Sequence, residues 1–333
     1  MEEDGRYSRQ SLIPGWNQSK LDGCSVVLVG IGAIGSYVGT ILASSGVKNI
    51  TIIDFDSVEL SNLNRQLLFR DEDIGKSKSK VAAERLKELN PEIIIKYFNK
   101  KMEKVPSSIY EKASVIIACL DTFLGRRWIN SMALRVKKPL VLGGMFAFLG
   151  DAQVIFPFKT ACFECQPLVS QEELAQACTP FGEERKAERE EEEEAILPAV
   201  ATLSSIIGGF MAQEAMKIIL GIGQPLQNYV FYDGLSNVFT QLELAQNPEC
   251  PACGELYRLE QVKFIATHGE KIRDLIVRLA LTYGLAKPDL LFKGKILEYE
   301  KTIEETELEN NARVFILDKN LAKPIKILLK LKE

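Results

Sequence analysis

Short apolar runs rich in β-branched residues alternate with helical patterns through the first part of the chain. VVLVG (26–30), NITIID (49–54), IIIKYF (93–98), SVIIACL (114–120) and PLVLGG (139–144) are separated by helical segments over 35–46, 77–89 and 122–136. Strands buried on both faces read as continuous apolar runs, and their alternation with helices predicts βαβ units in a mostly parallel, doubly wound sheet. Beyond Gly144 the pattern changes. AFLGDAQVIFPF (147–158) and NYVFYDGLSNVFTQLELA (228–245) predict antiparallel strands with turns at Gly150–Asp151 and Asp233–Gly234. Between them a stretch that is apolar nearly all round predicts a buried helix over about 199–220, with Pro198 in its first turn.

The segment GEERKAEREEEEE (182–194) has too little apolar surface to bury and predicts an exposed crossing segment. From about residue 259 a strand (VKFIAT), an amphipathic helix from Glu270 to Tyr283 and strands around LLFKGKIL, ARVFIL and PIKILLKL predict one helix on a small mixed sheet, a β-grasp pattern. The expected fold is therefore α/β: a doubly wound, Rossmann-like, mostly parallel sheet extended by antiparallel strands, plus a small C-terminal β-grasp domain. The domains expected are 1–257, with a crossover loop at 166–198, and 258–333.

Composition narrows the function. At 46% hydrophobic and 26% charged residues the 333-residue chain can bury a full core, and a net charge of −4 leaves no basic surplus for nucleic acid. The N-terminus is polar and no uncharged apolar run approaches membrane-spanning length, so a cytoplasmic protein is expected. His268 is the single histidine and reads as a solvated turn residue, which leaves any nucleophile without an imidazole base. The substrate must then arrive already activated.

Two CxxC pairs, Cys162/Cys165 and Cys250/Cys253, supply the four soft thiolates of a tetrahedral Zn²⁺ site, and their wide separation predicts a staple joining distant parts of the chain. Gly30, Gly32 and Gly35 form a loop that follows an apolar strand and opens a helix, where backbone N–H groups can receive phosphate oxygens. Asp54, at the carboxyl end of the second strand, is placed for ribose hydroxyls. So far NAD and ATP fit equally well. The stretch that follows brings Arg65 and Gln66, then Lys76, Lys78 and Lys80 at a helix start, and cations beside phosphates suit a reaction that expels pyrophosphate. Asp121, just beyond a strand, can hold Mg²⁺ through oxygen or cap the next helix.

RYSRQ (6–10), VGIGAIGS (29–36), DFDSVELSNLNRQ (54–66), DIGKSK (73–78), CLD (119–121), CFEC (162–165) and CPAC (250–253) together resemble the ubiquitin-activating enzyme superfamily, which includes the bacterial adenylyltransferases that activate sulfur carriers. The resemblance covers roughly residues 5–255. It implies that Asp54 with Asp56, Asn62 and Gln66 lines the ATP site, that Arg65 and Lys78 contact phosphates, and that Asp121 holds Mg²⁺. It further implies structural zinc on the four cysteines and a dimer in which Arg9 reaches into the partner's ATP site. Cys178 in QACTPF matches the position of the family's thioester cysteine, while Cys24 and Cys119 read as core residues of strands.

Residues 290–317 resemble the middle of ubiquitin, and a ubiquitin-like domain in this position resembles the one with which eukaryotic-type activating enzymes recruit a conjugating enzyme. The function expected is ATP-dependent activation of a ubiquitin-like protein by a homodimer: adenylation of its C-terminal carboxylate, thioester formation on Cys178 and transfer to a conjugating enzyme. The main alternative is adenylation of a sulfur-carrier protein for thiocarboxylate formation. An inactive scaffold subunit and a nicotinamide dehydrogenase are the more distant ones.

Overall fold

The computed structural model describes residues 5–165, 198–248, 250, 252–254, 262–283, 285, 287–318 and 324–332. They fall into two compact units. Cys178, the charged segment 182–194, most of the 166–198 crossover and the boundary at 257/258 lie outside the described residues.

The first unit opens with two short helices, α1 (Ser8–Ser11) and α2 (Gln18–Asp22). The alternating segments then become β1 (Ser25–Val29), α3 (Ala33–Ser44), β2 (Asn49–Ile53), α4 (Lys78–Leu89), β3 (Ile94–Phe98), α5 (Ser107–Glu111), β4 (Val115–Ala118), α6 (Phe123–Val136) and β5 (Leu140–Phe146). Strands β6 (Leu149–Ile155), β7 (Tyr229–Asp233) and β8 (Val238–Leu242) complete an eight-stranded sheet in the order β3-β2-β1-β4-β5-β6-β7-β8. Its first five strands are parallel and its last three antiparallel. The strand order reverses between β1 and β4, so the carboxyl ends of these two strands flank a crevice open to a ligand.

Helix α7 (Ala201–Leu220) lies in the core of this unit along α3. A Cβ on Gly208 would come within 2.9 Å of the Tyr37 Cβ, so this glycine lets the two helices approach closely. One flank of α7 nevertheless stays open, with Ile206 exposed, so burial is less complete than the sequence predicts. Pro198 also lies outside the helix rather than in its first turn. Its carbonyl accepts from Ala147 N at 2.8 Å, and Ala199 bridges Ala147, which holds these residues extended before the N-cap at Val200.

The hairpin turn expected at Gly150–Asp151 falls elsewhere. Strand β5 runs on through Phe146, the reversal is at Ala147–Phe148, and Ala147 carries the positive φ of 52°. Gly150 is a strand residue because Ile207 fills the space where its Cβ would go, 2.5 Å from that side chain. The second turn does follow Asp233, whose carboxylate accepts from Leu235 N at 2.9 Å.

The second unit carries the four-cysteine cluster and a five-stranded sheet, formed from β9 (Val262–Thr267), β10 (Asp289–Phe292), β11 (Lys295–Ile296), β12 (Ala312–Leu317) and β13 (Ile325–Lys332). Their order is β11-β10-β12-β13-β9, with β13 and β9 parallel and the other pairs antiparallel. Helix α8 (Ile272–Tyr283) buries Ile272, Leu275, Ile276 and Leu279 against Val314, Ile316, Ile327 and Leu329, the helix-on-mixed-sheet arrangement read from the sequence.

Candidate functional site

The glycine loop leaves β1 with Gly30 at φ +84°, a conformation that costs glycine nothing. A Cβ there would lie 2.5 Å from the Cys119 carbonyl oxygen, and one on Gly35 would lie 2.2 Å from the Gly30 oxygen. The backbone therefore folds tightly over the ends of β1 and β4. Gly32 caps α3 without a side-chain hydrogen bond, so first-turn N–H groups remain open at the positive end of the helix.

Asp54 organises this loop. Its Oδ2 accepts from Ile31 N at 2.8 Å and its Oδ1 from Asp56 N at 2.9 Å, while Ser79 Oγ donates to its carbonyl at 2.9 Å. Burial raises its pKa, against the lowering effect of the two N–H donors. Each carboxylate oxygen keeps a second lone pair for a ligand hydroxyl. Asn62 is buried and fixes the turn that follows by accepting from Glu59 N at 3.1 Å. Gln66 is 4% exposed, its Nε2 lies 3.7 Å from where a Gly32 Cβ would stand, and its Oε1 has no hydrogen-bond partner among the described residues. An orphaned buried acceptor beside the open loop fits a bound donor such as a nucleotide's.

The three lysines separate into two groups. Lys76 pairs with Asp73 at 3.3 Å and Lys80 with Glu84 at 4.0 Å, both with exposed side chains. Lys78 alone is buried, its Nζ 3.1 Å from Asp56 Oδ2. Arg65 is half-buried and folds back through Nη1 to the Ser61 carbonyl at 2.6 Å and Asn64 Oδ1 at 2.9 Å. Asp121 is exposed just past β4. Thr122 caps α6 in its place, accepting from Gly125 N at 3.2 Å, so the Asp121 carboxylate is not spent on the helix.

Arg126 is the residue that motif reading missed. Its Nε donates to the Leu120 carbonyl at 2.9 Å and its Nη1 lies 3.8 Å from Asp151, a carboxyl whose pKa burial raises. A Cβ on Gly144 would overlap the guanidinium at 1.6 Å. The visible signal was the Gly143–Gly144 pair, which leaves room for a side chain over β5. Arg126 thus props the strand end that carries Asp121.

The N-terminal arm is clamped to the sheet unit. Tyr7 OH accepts from Asn90 Nδ2 at 2.8 Å, Gln10 Nε2 donates to the Ser45 carbonyl at 2.8 Å, and Arg6 pairs with Glu92 at 3.6 Å. The Tyr7 ring lies 2.6 Å from where a Gly46 Cβ would be. Arg9 is exposed and, among the described residues, makes no ion pair; exposed Leu12 and Ile13 follow it in the chain.

In the second unit the four cysteines are buried and their sulfurs all lie within 4.8 Å of one another. Cys162–Cys250, Cys162–Cys165 and Cys165–Cys253 are 3.6, 3.8 and 3.3 Å apart. A tetrahedral zinc with bonds of about 2.3 Å has sulfur–sulfur edges of about 3.8 Å, so the donor set fits. Both CxxC turns are preformed, with Cys165 N donating to the Cys162 carbonyl at 3.1 Å and Gly254 N to the Cys250 carbonyl at 2.9 Å. Contact with Cys165 holds the Cys162 thiol well above its ordinary range, while the same contact pushes Cys165 down. Without a cation the cluster cannot ionise together; a divalent metal supplies the charge that would let all four do so. Cys24, by contrast, is pushed up to about 11 by burial, and Cys119 higher still by the same cause, which suits two inert core thiols.

The model of the ThiF family matches residues 7–252. A sulfur carrier protein adenylyltransferase of Thermus thermophilus is 33% identical over 266 residues, covering 76% of this chain and 92% of its own. The NEDD8-activating enzyme E1 catalytic subunit of Dictyostelium discoideum is 26% identical over 388 residues, covering 92% of this chain and 88% of its own. Among solved structures, Escherichia coli MccB with MccA-N7isoASN aligns with a TM-score of 0.64 at 25% identity, covering 77% of this chain and 75% of that one.

Proposed function

The chain belongs to the ThiF family, within the ubiquitin-activating enzyme superfamily, and from that premise we propose that it is an ATP-dependent adenylyltransferase acting on the C-terminal carboxylate of a small sulfur-carrier protein. The observation that carries the reading is the uncapped start of α3 beside one buried cation, Lys78, at the switch point of the sheet. A carboxylate oxygen of the carrier attacks the α-phosphorus of ATP, the bond to the bridging oxygen breaks, and acyl adenylate and pyrophosphate result. Loop N–H groups, Lys78 and Arg65 offset the charge that gathers on the leaving pyrophosphate. Asp54 and Gln66 hold the nucleoside, and Asp121 would hold Mg²⁺, whose charge adds to theirs. Arg9 acts from the partner protomer of a homodimer, and zinc on the four cysteines is structural.

Sulfur-carrier activation stands ahead of thioester chemistry because relatives named as sulfur carrier protein adenylyltransferases match at 30–33% identity along 92–94% of their own length, whereas the NEDD8-activating subunits match at 26%. The second reading, with a thioester on Cys178 and transfer to a conjugating enzyme, is favoured by one observation. The five-stranded unit lies beyond the family match, and a NEDD8-activating subunit aligns with 92% of the chain.

One experiment tests both. The chain is mixed with ATP, labelled pyrophosphate and a panel of small β-grasp carrier proteins, and exchange is followed with mass spectrometry of the products. Carrier-dependent exchange that yields carrier adenylate, and carrier thiocarboxylate once a sulfur donor is added, supports the first reading. A reductant-sensitive adduct between chain and carrier that Cys178→Ala abolishes would replace it with the second. Stabilisation by NAD and not by ATP would sink both.

A further inference from the structure

The outer face of the five-stranded sheet, opposite α8, concentrates positive charge on a chain whose net charge is −4. Alternation fixes which side chains point there. With Val314, Ile316, Ile327 and Leu329 buried beneath α8, their neighbours Arg313, Phe315, Lys326, Leu328 and Lys330 face outward, joined by Lys263 and Ile265 of β9. The register is specific. Leu328 stands between Arg313 and Lys263, Phe315 opposite Lys326, and Lys330 opposite Ile265, so each of these four cations has an apolar cross-strand neighbour and none faces another, while Lys332 at the strand end stands opposite Thr267. An apolar row, Ile296–Leu291–Phe315, crosses three strands at one end, with Ile296 55% and Phe315 38% exposed.

Charge balance elsewhere in this unit makes the face stand out. Lys271, Arg273, Arg278, Lys293 and Lys301 each pair with a glutamate or aspartate on the helix and loop side. Among the described residues Lys263, Arg313, Lys326 and Lys330 pair with no acid. Among the described strand residues the one acid on the face, Asp289, accepts a hydrogen bond from Tyr299. Uncompensated cations interleaved with exposed aliphatic side chains are neither an ordinary solvated face nor a core.

We infer that this face docks a partner protein with an acidic surface that presents an apolar anchor to the Ile296–Leu291–Phe315 row. A second copy does not fit, because an isologous contact through the face would set cation against cation. Nucleic acid fits poorly, since the row is aliphatic at two of its three positions and offers one ring for stacking. The inference goes beyond adenylation and holds whichever fate the activated carboxylate meets.

The probe is a fluorescent synthetic amphipathic helix with leucine on one side and glutamate on the other, titrated into the full chain and read by anisotropy. It should bind, weaken as salt rises, and weaken by about ten-fold or more in both Phe315→Ser and the Arg313→Glu/Lys326→Glu double variant. Lys301→Glu, on the paired side, should leave affinity unchanged, and melting curves establish that each variant folds. The inference is overturned by absence of binding, by binding indifferent to these face substitutions, or by tighter capture through the same residues of single-stranded DNA or phosphatidylserine vesicles. Concentration-dependent self-association that the double variant abolishes would overturn it too.

Discussion

Lys78 is tied to Asp56 twice: its Nζ lies 3.1 Å from Asp56 Oδ2, and its backbone N–H donates to the Asp56 carbonyl at 2.9 Å. The lysine side chain is 9% exposed and the aspartate 48%, so the cation is held inside while its counter-ion meets water. A polyphosphate can take over the ammonium while Asp56 turns to solvent. The structure thus keeps a desolvated charge ready without leaving it unpaired.

Lys78→Met should therefore lower carrier-dependent pyrophosphate exchange by about a hundred-fold or more while shifting stability by no more than about 1 kcal/mol, because the stranded Asp56 is solvated. Exchange kinetics and a melting curve on the same preparation decide it. Unchanged exchange would remove Lys78 from the site.

Asp73 should govern acid stability of the nucleotide loop. Burial raises its pKa, but Arg70 N–H, Lys76 and Arg85 outweigh this and hold the carboxyl below the ordinary range. A lowered carboxyl pKa contributes stability that is present above the unfolded value, about 4, and is lost as pH falls through the folded one. Asp73→Asn should cost about 1–3 kcal/mol near pH 7, and the difference from wild type should shrink below about pH 4. A Tm difference that stays constant with pH would contradict the assignment.

The cysteine cluster should retain one zinc per chain through purification without chelator, by elemental analysis. Structural zinc contributes on the order of 10 kcal/mol in small domains, so Cys250→Ser should lower the Tm sharply and abolish bound zinc, while ATP binding, which uses none of these residues, persists. A metal-free, fully stable wild type is the contrary result.

Arg9 should act in trans. Arg9→Ala and Asp121→Ala chains, each inactive alone, should regain partial exchange when mixed, because a mixed dimer contains one site with both residues intact. Wild-type protein that sediments as a monomer and variants that show no recovery would dismiss the dimer.

Much of this was legible beforehand because local chemistry dictates it. A βαβ alternation, a glycine loop and two CxxC pairs are short-range patterns, and the strands, the loop and the sulfur cluster appear where the patterns put them. What escaped depends on pairing across the sheet. The turn assigned to Gly150–Asp151 moved because β5 pairs with β6 right up to Phe146–Leu149, and no local signal at Gly150 reveals that Ile207 occupies its missing side chain. Arg126 was signalled only by the Gly143–Gly144 pair, which does not name the side chain that fills it, since its meeting with Gly144 and Asp151 joins a helix to two strands. The basic face also vanished into a net charge of −4, which counts charges without saying which side of a strand they occupy.

The seat of the N-terminal arm sets an order of assembly. Tyr7 rests on the space beside Gly46 and on Asn90, and Gln10 rests on the end of α3, so these contacts form only once both βαβ units have closed. Until then these contacts do not position the arm that carries Arg9, so under the proposed trans role a chain whose α4 has come loose would present its arginine poorly to a neighbour. With Arg9 acting in trans as proposed, readiness to complete another protomer's site is a property of folded molecules, and Gly46 lies at the seat that sets it.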